Sequence, residues 1–138
     1  GSDNFSISSD GTITLVNALD YETDSSYTLT LSATDGTNTA TTNITVTVDN
    51  VNEAVSLSTS VAANSFSEDI STGTTIATAS ATDPENATIS YTLSGTGSDK
   101  FAVSTSGAVT LCSALDYEST TSYHLTLTAS DGTNTASA

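Results

Sequence analysis

Tyr27-Thr-Leu-Thr-Leu-Ser-Ala-Thr-Asp-Gly36 returns 96 residues later as Tyr123-His-Leu-Thr-Leu-Thr-Ala-Ser-Asp-Gly132. In both copies Tyr, Leu, Leu and Ala alternate with hydroxyl or polar residues, and the run ends on Asp-Gly. Period-two alternation is the pattern of a strand with one buried and one wet face, and Asp-Gly is a turn signal. The same alternation runs through Thr12–Val16, Asn43–Val48, Thr75–Ala79 and Thr88–Leu93. No segment has helical periodicity. Short strands separated by polar turns predict an all-β, Greek-key, immunoglobulin-like β-sandwich.

The likeness extends outward from this run. Gly1-Ser-Asp-Asn-Phe5 matches Gly97-Ser-Asp-Lys-Phe101, and Ala18-Leu-Asp-Tyr-Glu22 matches Ala114-Leu-Asp-Tyr-Glu118; 25 of the 42 overlapping positions are identical. A long fixed period is the mark of a tandem array. Gly1-Ser2 has the look of a cloning remnant, yet it fits the repeat as native sequence. Residues 1–53 read as the back half of one repeat, and residues 54–138 as a second repeat lacking its last strand. Strands are expected near 4–8, 11–16, 26–34 and 40–49, then near 55–63, 74–82, 87–93, 100–104, 107–112 and 122–130. The out-of-register ends imply a window onto a longer array, or a subunit that closes its sandwich by borrowing residues 40–49 of another copy.

Composition excludes several functions. One Lys, no Arg and 16 acidic residues give a formal charge of −15. Phosphate contacts need Lys and Arg, so nucleic acid is excluded as a partner, and anionic membrane surfaces are excluded by the same repulsion. No apolar run approaches the ~20 residues of a membrane span, so no membrane insertion is expected. Such a chain favours cations or stays soluble by self-repulsion. Ser and Thr supply 53 residues, but they alternate with Val, Ile, Leu and Tyr, which is strand chemistry and not disorder. The single Cys112 permits no internal disulfide; it replaces Val16 of the other copy and is expected to be a small buried hydrophobe.

The acids recur at fixed places: Asp20, Glu22 and Asp35, then Asp116, Glu118 and Asp131. Asn50, Asn52 and Glu53 occupy the link, and Glu68, Asp83 and Glu85 complete the set. All fall at strand ends or turns. Hard oxygen ligands grouped this way suit Ca²⁺, which takes 6–8 oxygens. Zinc is disfavoured, because only His124 and Cys112 would suit it. The plain alternative is that each Asp caps its own turn. For Asp35 alone that reading is preferred; for the whole set the metal reading is, since crowded acids repel one another without a cation.

Phe-x-Ile/Val, Gly-x-Ile/Val, Leu-Asp-Tyr-Glu, Tyr-x-Leu-Thr-Leu-x-Ala-x-Asp-Gly and Ile-x-Val-x-Val before Asn-Val-Asn-Glu together resemble the cadherin repeat, over essentially the whole chain. The form most resembled is the cadherin-like repeat of large bacterial surface proteins. The resemblance implies calcium at the junctions of successive repeats. It implies an internal junction using Asp20, Glu22, Asn50, Asn52, Glu53, Asp83, Glu85 and Asp131. Glu68, Asp116 and Glu118 would serve the next junction and Asp35 the previous one. There are departures from the family pattern. Tyr21 and Tyr117 stand where Arg is usual, the link lacks one carboxylate and the Pro, and Asp83-Pro-Glu85 replaces Asp-x-Asp. These imply one or two ions per junction and weaker binding.

The remaining residues carry less. His124 replaces Thr28 on an outward face and reads as solvated. Tyr27 and Tyr123 resemble a tyrosine corner, a packing role. Tyr21 and Tyr117 are placed to shield the ligands or pack on a neighbouring repeat. Asn4, Asn43 and Asn86 head sequons. No nucleophile–base pair is evident, and a glycosidase pair would need a cleft that a narrow sandwich does not offer, so no enzyme activity is expected. The expected function is an extracellular, cell-surface array, structural or adhesive, stiffened by Ca²⁺. Its partners would be neighbouring repeats and other copies, by homophilic contact or strand exchange. A fibre built by strand donation is the alternative. A carbohydrate-binding module is the third reading, with eight aromatics and no Trp against it.

Overall fold

The computed structural model describes residues 2–138, Ser2 by its backbone alone, so the expectation at Gly1 lies outside the described residues. The chain divides into two compact units, Gly1–Val51 and Asn52–Ala138. Both are all-β apart from two single 3₁₀ turns, Ser2–Asn4 and Ser98–Lys100.

The first unit is two antiparallel hairpins. β1 (Phe5–Ile7) pairs with β2 (Ile13–Leu15), Ser6 opposite Thr14, and β3 (Ser26–Thr34) pairs with β4 (Thr39–Thr47), Leu29 opposite Ile44. Tyr27 joins the hairpins. It is buried, its ring meets Phe5 edge-on at 5.4 Å, and its hydroxyl accepts a hydrogen bond from Asn4 at 3.4 Å.

The second unit is a two-sheet sandwich. β5 (Ser56–Val61), β6 (Thr75–Thr82), β8 (Phe101–Val103) and β9 (Ala108–Leu111) form one sheet in the order β5-β6-β9-β8. β7 (Ser90–Thr96), β10 (His124–Ser130) and β11 (Thr135–Ser137) form the other in the order β11-β10-β7. The chain therefore changes sheet after β6, after β7 and again after β9, as a Greek key requires. Ile76, Ala79 and Val109 from one sheet meet Leu127 from the other, with Leu57, Leu93, Phe101 and Leu125 packed around them. Ile76 and Ala79 both face inward although three residues apart. A register shift between Thr75 and Ala77 opposite β9, a β-bulge, absorbs the extra residue. Tyr91 crosses between the sheets, its hydroxyl accepting the Ala81 N–H at 3.0 Å. An apolar hollow of about 620 Å³, lined by residues including Phe66, Ile70, Leu93 and Leu125, lies within this unit. The narrow sandwich without a cleft is thus corrected.

Two other expectations change. Cys112 is exposed, not a core hydrophobe. Val109 and Leu111 hold the inward positions of β9, so the next residue turns outward. The strand expected near 87–93 runs further than its expected end, because β7 continues to Thr96 with Gly95 opposite Leu125. Gly95 has φ +107°, and a Cβ there would lie 2.1 Å from the His124 carbonyl oxygen; a glycine is what lets the two strands approach.

All 16 acidic residues lie outside the strands. The outward strand faces carry hydroxyls instead, some paired across strands, as in Ser6–Thr14 at 2.7 Å and Thr128–Ser137 at 2.9 Å. Among the described residues, no helix is long and apolar enough to cross a membrane.

Candidate metal centre

In the second unit the chain enters β5 from the segment Asn52–Val55, and the turns after β6 and β10 bring acids to that segment. Asp131 opens the β10–β11 turn, its Oδ1 accepting the N–H groups of Thr133 and Asn134, each at 2.6 Å. Its Oδ2 accepts the side-chain amide of Asn52 at 2.8 Å. Asn134 donates in turn to the carbonyls of Asn52 at 3.2 Å and Glu53 at 2.6 Å. The Glu53 N–H reaches Glu85 Oε1 at 3.2 Å. Asp83 Oδ1 accepts the Ala87 N–H at 3.0 Å. Asn52, Glu53, Asp83, Glu85 and Asp131 are thereby brought together.

Two oxygens are left over. Asp83 is 8% exposed, and its Oδ2, together with Glu85 Oε2, is buried without a hydrogen-bond partner. A buried carboxylate oxygen without a partner is costly. The Glu53 side chain is the main cause that holds the Glu85 carboxyl below the usual glutamate range. Glu53 and Glu85 hold carboxylate oxygens within 4.8 Å of each other, and a bound cation would offset the repulsion between them. The donors are all oxygen, so the set fits Ca²⁺ and not a thiolate- or imidazole-preferring metal.

A second cluster lies in the same unit. Glu68, Asp116 and Glu118 each offer a carboxylate oxygen, all within 4.8 Å of one another and all on exposed residues. Glu68 Oε2 accepts the Tyr117 N–H at 2.8 Å, which ties the loop before β6 to the Leu115-Asp-Tyr-Glu118 turn. Asp116 caps that turn through Glu118 N–H at 3.1 Å and Ser119 Oγ at 2.6 Å.

In the first unit, Asp20 caps its own turn, taking the Thr23 N–H at 3.1 Å and hydroxyl at 2.9 Å. Asp35 caps the β3–β4 turn through Thr37 and Asn38 N–H groups at 2.8 and 2.7 Å. Glu22 and Asn50 are exposed. His124 is exposed on β10. Tyr123 packs edge-on against Phe101 at 5.4 Å.

The turn caps set a pH dependence. The Thr23 hydroxyl leads in lowering Asp20, the Asn38 N–H in lowering Asp35, the Ser119 hydroxyl in lowering Asp116 and the Asn52 amide in lowering Asp131. A depressed carboxyl pKa gives stability that is present above the unfolded value and lost as pH falls through the folded one. Melting temperature should therefore hold from pH 7 to 5 and fall once pH drops below the ordinary aspartate value of 3.8. Thermal scans at pH 7, 5 and 3 in calcium-free buffer test this, and an equal melting temperature at pH 5 and 3 would refute it.

Asn134, which holds the Asn52 and Glu53 carbonyls, is the residue that the reading of acids passes over. Its signal was its place in Asp-Gly-Thr-Asn, which both copies contain.

A family model for the cadherin domain matches residues 1–49 and 63–138. The chain is 39% identical over 133 residues to Protocadherin Fat 4 of Mus musculus, covering 88% of this chain and 3% of that protein. It is 38% identical over 137 residues to the protocadherin-like wing polarity protein stan of Drosophila melanogaster, covering 90% of this chain and 4% of that protein. Among solved structures, the protocadherin gamma B2 extracellular cadherin domains 3-6 superpose with a TM-score of 0.77 over 99% of this chain and 35% of that one. The identity there is 23%, a likeness of fold alone. The chain thus spans only 3–4% of the length of the curated relatives it matches. These relatives are animal proteins, and they lend no support to the bacterial subtype or to a filament.

Proposed function

The chain belongs to the cadherin family, and from that membership we propose that it is a segment of an adhesive tandem array held in shape by calcium at its strand ends. Cadherin repeats of this type are extracellular and non-enzymatic. The observation that carries the calcium reading is the pair of buried carboxylate oxygens without partners, Asp83 Oδ2 and Glu85 Oε2.

Residues 1–53 are assigned to one repeat and 54–138 to the next. Asp83, Glu85, Asn52, Glu53 and Asp131 would hold the ion at the segment leading into β5. Asp20, Glu22 and Asn50 are proposed, from the family pattern, as the ligands contributed by the first repeat. Glu68, Asp116 and Glu118 would serve the following junction and Asp35 the preceding one. Bound calcium supplies positive charge to carboxylates that otherwise repel. The chain's own part is to aim oxygens. The Ala87 N–H fixes Asp83, the Glu53 N–H fixes Glu85, and the Asn52 amide fixes Asp131. With both Asp131 oxygens already engaged, coordination by this residue would have to share them. Partners are the neighbouring repeats and, for adhesion, other copies.

Calorimetric titration with CaCl₂ tests the reading. Dissociation constants of about 0.1–1 mM are expected, the range of extracellular modules. Asp83→Asn with Glu85→Gln, which keeps shape and removes charge, should weaken binding at the segment leading into β5 at least tenfold. Titration curves identical for the variant and the unsubstituted chain would refute the assignment.

A further inference from the structure

We propose that Asn134 is a positioning residue that clamps the backbone of the Asn52-Glu53 segment and so presents that segment's oxygens for binding. The inference rests on the calcium reading for its purpose, but its geometry stands alone. One side-chain nitrogen, Asn134 Nδ2, donates to two successive carbonyls, Asn52 at 3.2 Å and Glu53 at 2.6 Å. The return contact runs from Asn52 Nδ2 to Asp131 Oδ2 at 2.8 Å. The β10–β11 turn and the segment before β5 therefore hold each other by three hydrogen bonds between residues some 80 positions apart.

The turn can do this because it is already rigid. The Asp131 carboxylate takes two backbone N–H groups, which fixes the backbone at Asn134 and aims its side chain away from the turn. The clamp matters because Asn52 and Glu53 are exposed and lie outside any strand. An exposed segment without a ladder gives up conformational freedom when it binds, and a segment already held gives up less. Asn134 is not itself offered as a ligand. Its donors go to the carbonyls, and its effect on an ion would come through the shape of the segment and through Glu53 N–H on Glu85 Oε1 at 3.2 Å.

The repeat supplies a control. Asn38 holds the equivalent place in the first unit, where its N–H donates to Asp35 in the same turn. Asn134→Ala and Asn38→Ala remove the same group from the same kind of turn, but only the first releases residues 52–53. Two measurements separate the roles: amide–water exchange at Glu53 by NMR in EGTA, and calcium affinity by calorimetry. Asn134→Ala should speed Glu53 exchange about fivefold or more and weaken calcium binding about fivefold to tenfold, as the loss of one or two net hydrogen bonds implies. Asn38→Ala should change neither. Asn134→Ser, which keeps a turn-forming residue, should match Asn134→Ala. Glu53 exchange unchanged in both Asn134 variants overturns the clamp, as does an equal change in Asn38→Ala. If the unsubstituted chain binds no calcium, the calcium reading falls, and the exchange experiment still decides the clamp.

Discussion

In 10 mM CaCl₂ the second unit is expected to melt about 10 °C above its midpoint in EGTA. A ligand that binds only the folded state stabilises it by RT ln(1 + [L]/Kd). At a dissociation constant of about 0.1–1 mM this is about 1.4–2.7 kcal/mol. For a unit of this size each kcal/mol moves the midpoint by about 4–8 °C. Screening alone also favours a chain with a formal charge of −15, so the comparison needs NaCl at equal ionic strength. Asp83→Asn with Glu85→Gln should erase most of the rise. Glu68→Gln with Glu118→Gln should erase the remainder, since those two carboxylates share the second cluster with Asp116. A rise of the same size in NaCl would mean that calcium acts as bulk salt, and that the acids are turn caps and solvated charge.

The second large effect lies in the core. Leu111→Ala is expected to lower stability by about 3 kcal/mol, whereas Leu15→Ala, the same position one repeat earlier, should cost well under about 1 kcal/mol. Leu111 is 1% exposed and Leu15 is 54% exposed. Removing a buried leucine loses transfer energy and leaves a cavity, about 2–5 kcal/mol in all. A half-exposed one loses part of the first contribution and leaves no cavity. Urea unfolding of the two variants provides the comparison, and equal losses would contradict the packing described. The pair isolates environment from chemistry, because the residue, the strand and the flanking sequence are nearly the same.

That pair also indicates what could be read in advance. Strand positions were legible because alternation is a local property: β3 spans 26–34 as expected, and its partner β4 differs by a residue or two. Outwardness at Cys112 was legible too, had the inward Val109 and Leu111 been counted to the strand's end. The extension of β7 through Gly95 was hidden, because a close approach to His124 is a property of two strands and not of one. The acid clusters could be named from the repeat but not their partners. Asn52 meets Asp131 across 79 positions and Asn134 meets Glu53 across 81, distances over which no periodicity speaks. Nor does sequence distinguish an acid that caps a turn from one with an oxygen to spare. Asp20 and Asp83 read alike, yet both oxygens of Asp20 are engaged by Thr23, and one oxygen of Asp83 is buried and unsatisfied.

The exclusion of every acidic side chain from the strands has a consequence for how molecules of this kind meet side by side. Ionic repulsion fades over about 8 Å in physiological salt, so charge held at the strand ends scarcely reaches the flanks. What a lateral neighbour encounters there is mainly serine and threonine hydroxyls, some already bonded to one another, with exposed apolar side chains such as Ile7, Leu15 and Val61 among them. Such a flank is electrically mute. A partner would therefore sense the hydroxyls and apolar side chains of this face before the sign of the chain's charge.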